Sequence, residues 1–318
     1  MIRKGLISNA RSEQNKRGMS ELEAVFENDA SVLHRPLESM DGLPGAIRDL
    51  ADWNADVIVV NGGDGTVQAV LTELLEARPF ATLPPVALLR RGNTNMTAAD
   101  CGMIGKAAPA LERLTQLSEP AELTRRLVPR PVLRLENALG YRPQRGMFFG
   151  AAGIVNAIEI CREKVHARGF QSEWANGLTL GGLLLTWLLR GERGPLQGEN
   201  LGITLDDAAP WRKSQLLVLC TTLERLVLNS RPFWNQDEGA MHFTSIAFPP
   251  RRILRDARRI LYGGNDRKLS SDLYRSQSAN KVMLEDCGAF TLDGQIFEPE
   301  PGRPVMLSAE ETVEFVRF

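Results

Sequence analysis

Apolar residues in the first 125 positions alternate between short continuous runs and longer stretches with helical spacing. The run 57–60 has the length of a buried strand, and the stretch 66–77 repeats Val67, Val70 and Leu74 on one helical face. Such alternation predicts an α/β domain, a parallel sheet with helices on both faces. The predicted strands are 2–7, 32–33, 57–60 and 86–89, and the predicted helices are 19–28, 43–53, 66–77, 107–117 and 120–127.

The pattern changes from residue 128, where short β-like runs predominate. Pro129 and Pro131 mark a boundary, so we expect one domain at 1–129 and a β-rich domain at 130–318. Helical spacing returns at 154–167, 174–189 and 251–262. The predicted strands of this half are 132–135, 146–152, 201–205, 215–219, 242–248, 281–284 and 289–297.

Composition indicates an ordinary globular chain of 318 residues, long enough for two domains. The net charge of −1 predicts no general attraction to nucleic acid. Four scattered cysteines and a charged N-terminus without signal-peptide features favour a reduced, cytoplasmic protein. The most apolar stretch, 178–189, is shorter than the roughly 20 residues that span a bilayer. We interpret it as a buried helix, with a wall for lipid entry as the alternative.

The most informative segment is the glycine turn Asn-Gly-Gly-Asp-Gly-Thr at 61–66, between a predicted strand and a predicted helix. Glycines allow close approach of the backbone to an anion, and a helix start offers unpaired N–H groups. A carboxylate there, Asp64, suggests Mg²⁺-nucleotide or an oriented hydroxyl. Walker and dinucleotide-binding motifs do not fit, since no Lys follows Gly65 and Gln68 replaces the third glycine. An ordinary strand-to-helix turn remains the alternative.

A second turn, Gly-Asn-Thr-Asn at 92–95, has the same setting after the apolar run 86–89. Parallel strands present their carboxyl ends at one edge of the sheet, where α/β proteins bind ligands. We therefore expect the two turns to lie side by side.

Together the motifs resemble the catalytic domain of diacylglycerol, sphingosine and ceramide kinases and their bacterial relatives. The family's G-G-D-G-T motif matches fully at 62–66. Its G-T-x-N-D motif matches at Gly92 and Asn95, with Asn93 and Met96 replacing Thr and Asp. Its N-P-x-S-G turn keeps Asn9 and Ser12, and its D-G-E motif occurs at 293–295 with Gln for Glu. NAD kinases and phosphofructokinases share the G-G-D-G element and imply the same N-terminal fold. For the second half the resemblance implies an antiparallel sandwich.

The resemblance implies ATP and Mg²⁺ as cofactors. Asp64 is then the catalytic residue beside the transferred phosphoryl group, although a turn or helix cap is the structural alternative. Lys16 and Arg17 either lie near the nucleotide or form an exposed basic loop. The residues implied to bind nucleotide are Asn9, Ser12, Gly62, Gly63, Asp64, Gly65, Thr66, Gly92, Asn93, Thr94 and Asn95.

The acceptor hydroxyl needs a group that takes its proton. Gln295 can orient this hydroxyl by hydrogen bonds but cannot act as a base. Either Asp293, Glu298 or Asp64 takes over, or the kinase is weak or inactive. The acidic loop with Asp237 and Glu238 lies where the family often holds a structural Mg²⁺, although a solvated acidic turn fits equally well. Met96 is a poor ligand for such a hard cation.

The stretch 251–261 predicts a basic amphipathic helix, either a surface helix packed by its apolar face or an anchor on anionic lipid. The sequence therefore predicts an ATP-dependent kinase for diacylglycerol or a related lipid alcohol, peripheral at the inner membrane face. A catalytically impaired relative that binds nucleotide or lipid, and a kinase for a soluble alcohol such as NAD, are the alternatives. A homodimer is left open.

Overall fold

The computed structural model describes residues 1–10, 12, 15–27, 29–92, 94–155, 198–234 and 237–318, without the side chains of 16–19 and 254. The helix expected at 174–189 and nearly all of that expected at 154–167 lie outside these residues. By its contacts the chain forms two compact units. The first comprises Met1–Arg130 with Thr312–Phe318, and the second comprises Pro131–Glu311.

A parallel sheet forms the centre of the first unit, in the strand order β2-β1-β3-β4. All six residues of β3 are buried, as expected for a strand covered on both faces. The α/β fold class predicted for this half is confirmed. The strands are β1 (Lys4–Asn9), β2 (Val32–Leu37), β3 (Val57–Gly62) and β4 (Val86–Arg90).

Helices connect these strands. One core cluster joins Val57 and Val59 of β3 to Leu111 and Leu114 of α5. The helix predicted at 66–77 begins two residues earlier, because Asp64 and Gly65 already belong to its first turn. The helices are α1 (Asn15–Phe26), α2 (Leu43–Asp52), α3 (Asp64–Ala77), α4 (Met96–Asp100), α5 (Ala107–Thr115) and α6 (Pro120–Thr124).

The second unit is rich in antiparallel β-structure, and this part of the fold prediction is also confirmed. Its core is a cluster of buried apolar side chains that includes Phe149, Phe243 and Phe290. One helix of this unit, α7 (Ile253–Tyr262), lies in the predicted basic stretch. The strands are β5 (Leu127–Glu136), β6 (Gln144–Gly146), β7 (Phe148–Ala152), β8 (Glu199–Leu205), β9 (Trp211–Thr221), β10 (Met241–Ala247), β11 (Tyr274–Ala279), β12 (Lys281–Glu285), β13 (Phe290–Leu292), β14 (Gln295–Phe297) and β15 (Val305–Val316).

Three strands, β6, β11 and β15, lie outside the predicted strands except for Gly146 of β6. In β15 the buried residues Val305, Leu307 and Ala309 alternate with more exposed ones, so the period-two signal was present. Its first part pairs antiparallel with β12, and its end pairs parallel with β4 through Phe315 and Val316. No helix within the described ranges is long and apolar enough to cross a membrane.

Candidate nucleotide and acceptor residues

The ends of strands β1, β3 and β4 lie side by side in the first unit. Ser8 of β1 pairs with Asn61 of β3, and Gly62 at the end of β3 pairs with Arg90 at the end of β4. The strands are parallel, so the two glycine turns follow neighbouring strands at the same edge of the sheet. The structure thus brings together the turns that the sequence placed about 30 residues apart.

The backbones of the two turns touch each other. A Cβ atom added to Gly92 would lie 2.5 Å from the Cα of Gly63, and one added to Gly63 would lie 3.0 Å from the Cα of Gly92. A Cβ on Gly62 would lie 2.6 Å from the side chain of Thr66. At Gly65, in contrast, an added Cβ would meet nothing within 4 Å. Three glycines are therefore required by packing, and the fourth faces open space.

Asp64 connects the first turn to the second. Its two carboxylate oxygens accept hydrogen bonds from the backbone N–H groups of Met96 and Thr97, each at 3.1 Å. These are the first residues of α4, so Asp64 caps that helix from a position 32 residues away in the chain. Burial raises the pKa of Asp64, while the hydrogen bonds from Thr97 and Met96 oppose that change. The capping alternative is thus observed, and it fixes the carboxylate between the two turns.

Asn95 shapes the second turn. Its backbone is left-handed, with φ of 49°, a conformation in which Asn is enriched among non-glycine residues. Its buried side chain accepts a hydrogen bond from the backbone N–H of Gly92 at 2.6 Å and donates to the Gly92 carbonyl. The turn is therefore closed by its own amide. Met96 stands where the kinase family that the motifs resemble has Asp. It is 8% exposed and is thus an interior side chain.

A chain of amide hydrogen bonds supports the first turn, and only some of its members, Asn9 and Thr66, were predicted site residues. Asn9 donates from Nδ2 to the Thr66 hydroxyl at 3.0 Å. The buried Asn15 donates to the carbonyls of Asn9 and Asn61 at 2.8 and 3.1 Å, which joins the ends of β1 and β3. Such buried polar bonds fix geometry because each unmade one is costly.

The chain continues from Asn61 into β1 and β2. Asn61 donates from Nδ2 to the hydroxyl of Ser8 at 3.0 Å, and His34 Nε2 lies 2.9 Å from the same hydroxyl. Burial lowers the pKa of His34, which favours a neutral ring. The only sequence signal for Asn15, Asn61 and Ser8 was their polar character next to buried strands.

Most of the predicted nucleotide residues converge at this edge of the sheet. Ser12 is half-buried, and its backbone N–H donates to the Asn9 carbonyl at 3.1 Å. Thr94 is exposed in the second turn. Asn93 and the side chains of Lys16 and Arg17 lie outside the described residues, so their predicted contacts stay predictions.

The three predicted acceptor-side residues belong to the second unit, around the hairpin of β13 and β14. Asp293 is 6% exposed, and its carboxylate accepts hydrogen bonds from the backbone N–H groups of Met147 and Phe148 at 3.0 and 2.9 Å. Gln295, two residues on, is half-buried, whereas Glu298 is exposed after the end of β14. The structure therefore gives Asp293 a definite bonding role in the hairpin.

Asp237 and Glu238, the predicted Mg²⁺ ligands, are both exposed. Across the described ranges no three His, Cys, Asp or Glu residues come together in a group that could hold a metal ion. A magnesium ion at this loop stays a prediction.

Comparison with known proteins identifies the first unit. Residues 5–125 match the family model of the diacylglycerol kinase catalytic domain. Two solved structures from Bacillus anthracis str. Sterne are similar over 99% of this chain. One, a candidate diacylglycerol kinase, has a TM-score of 0.65 at 16% identity over 96% of its own chain. The other, a diacylglycerol kinase, has a TM-score of 0.59 at 17% identity over 96% of its own chain. No curated protein matches the sequence significantly.

At this identity the solved structures show a common fold, and the family match concerns the unit that holds the two turns. The chain thus carries a diacylglycerol kinase catalytic domain, and this domain is that of a kinase, a phosphotransferase. The family resemblance derived from the motifs is confirmed.

Proposed function

We propose that the chain transfers the γ-phosphoryl group of ATP to the hydroxyl of diacylglycerol or a related lipid alcohol, working from the cytoplasm at the inner membrane face. The observation that carries this proposal is the contact of two glycine turns, at 62–66 and 92–95, held together by Asp64 inside a region that matches the kinase family. The choice of a lipid as the acceptor rests on the family match alone, since the geometry of the first unit concerns the phosphate donor.

The first turn has the features of a phosphate cradle. Gly63 precedes α3 in extended conformation and, as a glycine, has no side chain that could cap the start of that helix. Gly65 in its first turn is exposed, with open space at the Cβ position. Unpaired N–H groups and the positive end of a helix dipole are what a phosphate group requires. The residues present therefore fit a nucleoside triphosphate.

When bound, ATP supplies the phosphoryl group and Mg²⁺ neutralises its negative charge. In this chain the second turn would stay in place because Asn95 closes it and Asp64 caps the helix behind it. Magnesium in kinases takes one or two carboxylates besides phosphates and water, so a single Asp64 fits such a site. Asp64 thus holds the two turns together and would contribute a carboxylate ligand to the site.

The acceptor hydroxyl would be oriented in the second unit by Gln295, whose amide can donate and accept. The carboxylate of Asp293 accepts hydrogen bonds from two backbone N–H groups, which gives it a positioning role in the hairpin. Loss of a general base typically costs on the order of 10²–10⁴-fold, so transfer would be slow but measurable.

A second candidate function is supported by the same observations. If Asp293 serves the hairpin and Glu298 faces solvent, the described acceptor residues hold no carboxylate that is ready to act as a base. A catalytically impaired relative that binds nucleotide and lipid and acts as a regulator would have this arrangement.

The test is a transfer assay with purified protein, labelled ATP, Mg²⁺ and a panel of acceptors that includes diacylglycerol, sphingosine, ceramide and NAD. We expect label in a lipid, and none when Gly92→Ala separates the two turns. Label in NAD alone would show instead that the chain is a kinase for a soluble alcohol. Absence of label in every acceptor, with folded protein, would contradict the kinase activity proposed for these substrates.

Gln295→Glu separates the two candidate functions. Glutamate has nearly the same shape and adds an acceptor for the hydroxyl proton. A large gain in turnover would show a kinase site that lacks only its base. A flat or reduced turnover would show that another carboxylate already acts, and Asp293→Asn and Glu298→Gln would then identify it.

A further inference from the structure

One face of α7 carries exposed arginines and a tyrosine. Arg255, Arg258, Arg259 and Tyr262 follow the spacing i, i+3, i+4, i+7, which places them on a single stripe of the helix. All three arginines are exposed, and Tyr262 is 54% exposed. Among the described residues none of the three guanidinium groups forms an ion pair with a carboxylate.

The apolar face of the same helix is already used inside the protein. Ile260 is 4% exposed in a core cluster with Leu216, Ile246 and Tyr274, and Ile253 packs against that cluster. A membrane anchor that inserts this apolar face would have to unpack it. Any contact of α7 with a charged surface must therefore use the opposite, arginine-bearing face.

A protruding leucine lies beside the tyrosine. Leu228 is 62% exposed and has a left-handed backbone with φ of 58°, a costly conformation for a side chain of this kind. The loop closes on itself, because the N–H of Leu226 donates to the Ser230 carbonyl at 2.8 Å. The Tyr262 hydroxyl donates to the Leu228 carbonyl at 3.4 Å. Leu228 and Tyr262 thus form one apolar tip next to the arginines.

The tip and the helix are fixed to each other. The N–H of Arg231, just after the loop, donates to the Leu261 carbonyl at 2.7 Å. Arg267 donates to the carbonyls of Arg259, Arg231 and Phe233 at 2.9 to 3.2 Å, so it joins the end of α7 to the segment after the loop. The surface is therefore preorganised, and binding would cost little conformational entropy.

We propose that this surface, the arginine stripe with the apolar tip, docks on a bilayer that contains anionic lipid. Arginines attract anionic headgroups, and tyrosine and leucine favour the interfacial and acyl regions just below them. The net charge of −1 gives the whole chain no such attraction, so the stripe is a local feature. The proposal rests on the proposed function, since a lipid kinase must meet its acceptor at a membrane, and it names the surface that does so.

The experiment is cosedimentation of the full chain with vesicles of phosphatidylcholine containing phosphatidylglycerol, at low and high salt. The variant replaces Arg255, Arg258 and Arg259 by Gln. Its matched control replaces Arg48, Lys106 and Arg125, three exposed cations of the first unit, by Gln. At low salt we expect the first triple variant to bind about a hundredfold more weakly and the control to bind like the wild type. High salt should remove most of the difference.

A second variant, Leu228→Ser with Tyr262→Ser, tests the tip and should weaken binding at both salt concentrations. Wild-type affinity in the stripe variant, an equal loss in the control, or no binding of the wild type to anionic vesicles would each overturn the proposal. Release by inorganic phosphate beyond that by chloride at equal ionic strength would also overturn it, in favour of a soluble phosphate ligand.

Transfer to short-chain diacylglycerol in detergent micelles separates this inference from the proposed function. The stripe variant should keep wild-type turnover there, because its arginines lie outside the phosphate turns. If the wild type phosphorylates no lipid while the vesicle results hold, the kinase proposal fails and the docking surface stands.

Discussion

Two carboxylates in different units have the same local bonding. Asp64 accepts hydrogen bonds from the backbone N–H groups of Met96 and Thr97. Asp293 accepts hydrogen bonds from those of Met147 and Phe148. In both cases two consecutive backbone groups, distant in sequence, bind one oxygen each. A carboxylate fixed in this way holds two chain segments at a set distance.

Their surroundings differ. Asp64 is partly buried and lies in an open glycine turn at the start of α3. Asp293 is 6% exposed in a hairpin turn with φ of 48°, and a Cβ on Gly146 would lie 2.6 Å from its carboxylate. Asp293 is therefore enclosed, whereas Asp64 is only partly buried and is followed by the exposed Gly65. The exposure of the turn, more than the hydrogen bonds of its carboxylate, therefore distinguishes the candidate site from a structural connection.

The largest expected effect is on phosphoryl transfer in Asp64→Asn. The amide has one acceptor oxygen, so either Met96 or Thr97 loses its partner and the negative charge is removed. We expect turnover to fall by on the order of 10²–10⁴-fold, as for loss of a positioned catalytic group. Steady-state rates measure this, and the matched control is Asp52→Asn, which changes an exposed carboxylate of the same unit outside the two turns. Equal turnover in Asp64→Asn and the wild type would show that Asp64 only caps α4 and has no catalytic role.

Gly92→Ala should disturb the contact between the two turns. Its Cβ would lie 2.5 Å from the Cα of Gly63, a backbone atom that cannot rotate away. We expect a loss of about 1–3 kcal/mol in the free energy of unfolding, as in other overpacked sites. Gly65→Ala is the control, because its Cβ meets open space and alanine favours a helix. Urea unfolding compares them, and equal stability of the two variants would show that the turns do not touch.

Asp293→Asn should act on stability and leave nucleotide binding intact. One of the N–H groups of Met147 and Phe148 would lose its acceptor, at a cost of about 1–3 kcal/mol. Urea unfolding at neutral pH checks the stability. A matched substitution of the exposed Glu298 by Gln should cost far less, and an equal cost for both would contradict the enclosed position of Asp293.

The smallest expected effect is a dependence of stability on pH at Asp64. Because burial raises the pKa of Asp64 above its ordinary 3.8, the folded state binds this proton more tightly than the unfolded state. The free energy of unfolding should then fall as pH rises from near 3.8 through the raised value. In Asp64→Asn this contribution to the pH dependence of the free energy of unfolding should be absent. An identical slope in both proteins would show that Asp64 titrates normally.

Much of the first unit could be predicted from the sequence, because its signals are local. The apolar run 57–60 and the glycines that follow it predict a strand, a turn and a helix start, and all three are present. The prediction that the two turns meet used only the geometry of parallel strands. The family resemblance then located the kinase domain, which the match over 5–125 confirms.

The cross-connections could not be predicted, because they join residues far apart in sequence. Asp64 and Met96 are 32 positions apart, and Asp293 and Met147 are 146 apart. Asn15 bonds the ends of two strands, yet nothing in its neighbours distinguishes it from a polar helix start. Strand β15 shows alternation, but its pairing with both β12 and β4 depends on the folded sheet.

The central claim is that the joined glycine turns of the first unit form a nucleotide site. The most direct test is the melting temperature of the full chain with increasing ATP and Mg²⁺, for the wild type, Asp293→Asn and Gly92→Ala. A ligand that binds only the folded state adds about 2.7 kcal/mol of stability at a hundred times its Kd. We expect an equal rise in melting temperature for the wild type and Asp293→Asn and a smaller one for Gly92→Ala. No rise in the wild type at saturating nucleotide, or an equal rise in Gly92→Ala, would contradict it.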